Sequence, residues 1–308
     1  MASRAEWYAL VSIGGVGPRR VRGLLNAFGS LDEALAQPDE DLVGKGMLTE
    51  THVAQLRKRL ARVEEIERQL DDLDMDGIRT VPMDSDAYPP ALLTTGRAPA
   101  LLFVAGDPEM AHGRGVAIVG ARNASDGGLE FAQALAARVS EAGLAVVSGL
   151  APGIDTAAHE GCLEVGGTPV GVLGSGFGGS RAQTDLCTEV AQHGSLLTEL
   201  RPGVPPTTAN LMARNRIVTG LSYGVVIVEL GQTQGTVSTL RSAQSQGRPL
   251  FIAAPAAESE VGRAEIAAGA PLIDSPDDLD ALVEVASSYE PQPSDDEEDD
   301  DGQLRLFT

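Results

Sequence analysis

The sequence predicts an α/β fold with a mostly parallel sheet, preceded by a small helical domain. Three observations predict it. Between residues 115 and 253, short apolar runs alternate with segments of helix length. Several of these runs end in glycine, at Gly120, Gly149 and Gly174. The runs are continuous rather than alternating, as in strands covered on both faces.

From the N-terminus, residues 6–40 read as short helices. Ile13-Gly14-Gly15-Val16-Gly17-Pro18 is a glycine-rich turn between two apolar segments, followed by Arg19, Arg20 and Arg22. Leu24, Leu25 and Phe28 continue a helical stripe that stops at Gly29. This pattern is that of a helix-hairpin-helix, whose turn presents backbone N–H groups to a phosphate; a packing module without a ligand gives the same pattern. Leu56, Leu60, Val63, Ile66 and Leu70 place one charged helix over 51–75. Strands are expected at 77–81 and 101–104, either side of a proline turn at Tyr88-Pro89-Pro90. Strands then follow at 116–120, 145–149, 169–174, 195–199, 224–229 and 249–253, with helices at 127–142, 153–165, 209–219 and 235–246. The expected domains are 1–75 (helical), 76–285 (sheet-bearing) and 286–308. In the last, seven consecutive acids, Asp295 to Asp301, predict a disordered tail.

Hydrophobic residues make up 43% of the 308, enough for a substantial core, while aromatics are 4%, so aliphatic packing dominates. The sequence has no apolar run of membrane-spanning length. Cys162 and Cys187 lack a metal-ligand spacing. A cytoplasmic protein without metal or cofactor is expected. The net charge of −21 opposes nucleic-acid binding, which usually depends on cations neutralising phosphates. Local potential decides binding, however, and the cations here are almost all arginine, which grips phosphate bidentately.

Ligands of open parallel sheets bind beyond the carboxyl ends of the strands. Four segments are expected there: 120–123, 148–155, 174–176 and 235–239. Glycine lets backbone N–H groups approach an anion, and Arg122 adds a bidentate contact; glycine turns without a ligand read the same way. No dinucleotide fingerprint and no Walker sequence is present. Arg214-Asn215-Arg216 interrupts an apolar helix. Its two arginines point about 200° apart at 3.6 residues per turn, so one is free for a phosphate while the other pairs internally, with Glu199 or Glu229.

Val116-Ala117-Ile118-Val119-Gly120-Ala121-Arg122, the run from Val147 through Asp155 to His159, Gly166-Gly167-Thr168, and the run from Arg214 to Ser222 resemble, in order and spacing, the core blocks of the DNA-processing protein A (Smf) family. The resemblance spans about residues 8–280. It implies an extended Rossmann-like domain, a homodimer, single-stranded DNA as ligand, and loading of the RecA recombinase during natural transformation and recombination, without catalysis. By the same resemblance Arg122, Ser148, Gly149, Gly174, Gly176, Arg214, Asn215 and Arg216 form the DNA pocket.

The chain departs from the family pattern at Phe177 to Gln183, where the family usually has Tyr-Pro and Asn, at Gln232 to Thr236, and at Pro255-Ala256. An acidic tail stands where a winged-helix module is frequent. Its last residues, Gln303, Leu304, Leu306 and Phe307 with Arg305 between, resemble the peptide by which repair proteins dock on the DNA sliding clamp. Two rival readings remain. A nucleotide-binding module fits the acidity. A phosphoribohydrolase-like enzyme would need a glutamate where Thr239 stands, leaving Asp155 and His159, spaced i and i+4, as the remaining catalytic pair.

Overall fold

A computed structural model describes residues 1–179, 185–231 and 234–293. The apolar runs become β1 (Ile78–Pro82), β2 (Leu101–Gly106), β3 (Gly115–Gly120), β4 (Ala145–Ser148), β5 (Pro169–Val172), β6 (Ser195–Thr198), β7 (Ser222–Glu229), β8 (Leu250–Ala253) and β9 (Leu272–Ile273). They form one nine-stranded sheet in the order β1-β2-β6-β5-β4-β3-β7-β8-β9. The seven strands from β6 to β9 are parallel; β2 runs antiparallel to β6, and β1 to β2. The strand order reverses at β3, so the β3 and β7 ends make the switch point at which open α/β sheets take ligands.

The helices are α1 (Arg4–Val11), α2 (Pro18–Phe28), α3 (Leu31–Leu35), α4 (Asp39–Gly44), α5 (Glu50–Leu60), α6 (Val63–Met75), α7 (Pro90–Leu93), α8 (Asp126–Glu141), α9 (Ile154–Glu164), α10 (Asp185–His193), α11 (Thr208–Gly220), α12 (Gln234–Ser245), α13 (Ala254–Ala257), α14 (Glu260–Ala267) and α15 (Asp280–Ser288). Two apolar layers sandwich the parallel strands. On one face Val116, Ile118 and Val226 pack against Leu135, Val139, Ile154, Ala158 and Leu282 of α8, α9 and α15. On the other, Ala117, Val119 and Ile227 pack against Ile217, Val218, Leu240 and Ala243 of α11 and α12. Two-sided burial explains why these strands carry no polar alternation.

The charged stretch expected as one helix over 51–75 is two. Arg57, Lys58 and Arg59 fill the last turn of α5, and Glu64 and Glu65 the first turn of α6. Cations favour a helix C-terminus and anions an N-terminus, so this charge order favours a break at Ala61-Arg62. Arg62 leaves helical geometry and its guanidinium bonds Glu65 at 2.8 Å.

The N-terminal helices share a core with the sheet. Trp7, Leu10, Leu24, Leu42 and Leu56 belong to one buried cluster with Leu101, Phe103, Leu196, Phe177 and Cys187. Arg4 fastens α1 to α6 through Glu67, Asp71 and Asp74. At the other end, α15 runs to Ser288, three residues past the expected boundary at 285. Arg114 holds that end by donating to the carbonyls of Ala286 (3.0 Å) and Tyr289 (2.8 Å). Residues 286–288 are therefore helical rather than part of a tail. Asp295 to Asp301 and the clamp-like residues Gln303, Leu304, Leu306 and Phe307 lie outside the described residues. No described helix is long and apolar enough to cross a membrane.

Candidate nucleic-acid interface

The carboxyl ends of β3 to β7 and the amino end of antiparallel β2 lie along one edge of the sheet. The β3 end is extended by Gly120-Ala121-Arg122-Asn123, and Arg122 is exposed. Next to it the β4 end turns sharply. Leu150 takes φ +57° and Gly153 φ +88°; a side chain tolerates the first at a cost, and glycine is the natural residue at the second. A Cβ at Gly153 would also lie 2.3 Å from the carbonyl oxygen of Ala121. The two loops are therefore in backbone contact, joined by the Ile154 N–H bonding Ala121 O at 3.2 Å.

Beneath these loops sits a buried polar group. Arg214 is 4% exposed, and its Nη1 donates to the carbonyl of Val172 at 2.6 Å. Its Nε is sealed without a partner. Burial lowers the guanidinium pKa; the Asp155 carboxylate opposes that shift and Arg122 adds to it. Asp155 is itself buried, which raises its pKa against the pull of Arg214 and of the Ala151, Gly120 and Gly149 N–H groups. Of these, the Ala151 N–H donates to Asp155 Oδ2 at 3.4 Å, so a carboxylate of the same chain faces the loop after β4. His159, one turn on, is fully buried with neither ring nitrogen bonded, and burial pushes its pKa down to about 4.

The other expected residues divide by location. Ser148 is buried and gives its hydroxyl proton to the carbonyl of Ile118 at 2.7 Å, so its side chain faces inward. Gly174 packs on Leu211, where a Cβ would lie 2.6 Å from Cδ2. A Cβ on Gly176 would lie 1.8 Å from the Arg201 carbonyl oxygen. Its N–H bonds Val204 O at 2.9 Å, so the loop after β5 is closed by the one after β6. Asn215 donates from Nδ2 to Gly235 O at 3.2 Å, tying α11 to α12. Arg216 points away from Arg214, pairs with Glu199 and donates to Arg97 O at 2.7 Å. The internal partner of the arginine pair is thus Glu199. Glu229 is engaged elsewhere: its carboxylate accepts from the Ser125 N–H (3.1 Å) and hydroxyl (2.7 Å).

The structure thus brings Gly149 and Arg214 together, with Arg122 beside them, and separates Asn215 and Arg216. It also adds two arginines that motif reading passes over. Arg97 precedes β2, and Arg201 follows β6; both are exposed, and neither side chain has a bonded partner among the described residues. Each lies in a proline- and glycine-bearing loop, Gly96-Arg97-Ala98-Pro99 and Arg201-Pro202-Gly203, a weak local sign of an exposed cation. With strands about 4.8 Å apart, the ends of β2 and β3 are about 19 Å apart along this edge.

Comparison with known proteins gives a consistent picture. Residues 79–284 match the family described as DNA recombination-mediator protein A. Protein Smf of Escherichia coli is 38% identical over 189 residues, covering 60% of this chain and 50% of the relative. DNA processing protein DprA of Bacillus subtilis is 36% identical over 178 residues, 57% of this chain and 60% of the relative. The chain therefore spans between half and three fifths of the length of these two relatives. Among solved structures, DNA processing protein A of Streptococcus pneumoniae superposes with a TM-score of 0.77 at 26% identity, over 91% of this chain and 98% of that one. DNA processing protein A of Helicobacter pylori, described for its single-stranded DNA binding mode, gives a TM-score of 0.59 at 25% identity, over 67% and 96%. The chain belongs to the DNA recombination-mediator protein A family, the DprA/Smf proteins.

Proposed function

We propose that this chain binds single-stranded DNA along the carboxyl edge of its sheet and hands it to the RecA recombinase, without chemistry on the strand. The observation that carries the reading is the distribution of cations. In a molecule of net charge −21, most described arginines are tied to carboxylates or carbonyls; of those exposed and without a bonded partner among the described residues, Arg97, Arg122 and Arg201 share one edge, while Arg68, Arg79 and Arg241 stand singly on α6, β1 and α12. Arg214 lies under the Gly149 loop as a fixed positive charge. Phosphates then contact Arg122, Arg201 and Arg97, while Arg214 contributes field rather than contact. Ser148, Gly149, Gly174 and Gly176 shape the floor, and Asn215 and Arg216 brace α11 beneath it. The single-stranded DNA binding described for the Helicobacter pylori relative supports the choice of ligand.

Three further parts rest on family resemblance and sequence: homodimerisation, delivery to RecA, and docking of Gln303, Leu304, Leu306 and Phe307 on the sliding clamp. The domain division at 75 is likewise a proposal, with the helical part packed on the sheet and the sheet-bearing part running through α15 to Ser288. The test is a gel shift with single- and double-stranded oligonucleotides at two salt concentrations. Preference for the single strand, weakened by salt and by Arg122→Ala, is the expected result; equal affinity for both forms, or none, overturns the reading.

A further inference from the structure

At the switch point of the sheet, α8 begins where an open α/β fold usually presents its helix N-terminus to a ligand phosphate. In this chain that place is taken. Glu229, the last residue of β7 and the register partner of Gly120, lays its carboxylate on the first turn of α8. Both oxygens accept from the Ser125 N–H at 3.1 Å, and one also takes the Ser125 hydroxyl proton at 2.7 Å. Ser125 Oγ in turn caps the helix by accepting from the Gly128 N–H at 3.0 Å. Gly128 is required for this fit, because a Cβ there would lie 2.1 Å from Glu229 Oε2. The carboxylate, the hydroxyl and a residue without a side chain interlock as a ligand and its cradle would.

We infer that Glu229 is a built-in occupant of the phosphate cradle, and that it sets this edge against phosphate monoesters, free phosphate and nucleotide alike. A second anion beside the carboxylate meets its charge and finds the Ser125 N–H already used. Asp155 repeats the arrangement at the neighbouring loop, where its carboxylate accepts from the Ala151 N–H at 3.4 Å. A ligand phosphate is thereby kept out of the two backbone cradles and left to the exposed arginines above them. Glu229 also pins the segment carrying Arg122, which lies between its two contacts at Gly120 and Ser125.

The inference stands apart from the DNA reading and is tested on the full chain. Wild type, Glu229→Ala and Glu229→Gln are melted in phosphate, in dAMP and in sodium chloride of equal ionic strength. Phosphate stabilises folded chains in general by exclusion from their surface, so wild type is the reference. Expected is no saturable effect of dAMP or phosphate on wild type, a lower Tm for Glu229→Ala in chloride, and its saturable recovery by both ligands. Recovery by dAMP alone would assign the gain to the base and overturn the inference. So would a saturable shift of equal size in wild type, or a folded Glu229→Ala with none. If Glu229→Ala fails to fold, Glu229→Gln decides: volume is kept and charge removed, so dAMP should bind at least about tenfold tighter than to wild type, and equal binding refutes the idea. A gel shift of the same preparations reads strand binding separately.

Discussion

The guanidinium of Arg214 lies flat against the backbone of Gly149, so close that a Cβ added there would fall 1.9 Å from Nη1. Arg214 cannot easily withdraw, because Nη1 is bonded to Val172 O inside the protein. Gly149→Ala should therefore destabilise the fold by about 1–3 kcal/mol, the usual range for overpacking. Urea denaturation measures this. A stability unchanged from wild type would mean that Arg214 has an alternative position.

Arg216 and Glu199 form a pair with side chains 11% and 21% exposed, joining α11 to the end of β6. Removing one partner strands the other at a largely dry site. Glu199→Ala should cost about 1–3 kcal/mol. The double variant with Arg216→Ala should be less unstable than the sum of the singles, as a double-mutant cycle will show.

Arg122 is exposed and without a bonded partner among the described residues. Arg122→Ala should leave stability within about 0.5 kcal/mol of wild type. It should lower the slope of log affinity against log salt for single-stranded DNA by about 0.7, the value for one lost phosphate contact. Binding isotherms at three salt concentrations check both magnitude and slope.

His159 gives a pH dependence with a definite sign. Its folded pKa is about 4, below its ordinary 6.5, because burial disfavours the imidazolium. Between these values the unfolded chain binds a proton that the folded chain refuses, so stability falls as pH drops from 6.5 toward 4. The loss approaches about 3 kcal/mol. Asp155 acts in the opposite sense above its ordinary pKa, since its raised pKa lets the folded state take a proton first. His159→Leu puts an apolar, non-titrating side chain in the same buried site and should flatten the decline between pH 6.5 and 4. Urea midpoints at pH 7 and pH 5 compare the two.

Most elements of the sheet-bearing part were legible because their signals are local. Val116 to Gly120 and Ala145 to Ser148 read as strands from their own composition, and the glycines after them marked where the chain turns. The break at Ala61-Arg62 was also written locally, in the order Arg57-Lys58-Arg59 then Glu64-Glu65, but hydrophobic spacing across 56–70 masked it. The packing of Trp7 and Leu24 on Phe103 and Leu196 was not legible, because one buried face looks the same whichever surface it meets.

For the site, the sequence by itself determined which residue types stand at the carboxyl edge: glycines that permit close backbone approach, and arginines spaced to opposite faces of α11. Only the tertiary structure decided which arginines are accessible. Arg214 is captured by a carbonyl 42 residues away and Arg216 by a carboxylate 17 residues away, while Arg97 and Arg201 are left exposed. Burial and pairing depend on long-range contacts that no local pattern encodes. The same reason misdirected the reading of Glu229, a candidate partner for the arginines by sequence, whose actual partner Ser125 lies 104 residues earlier.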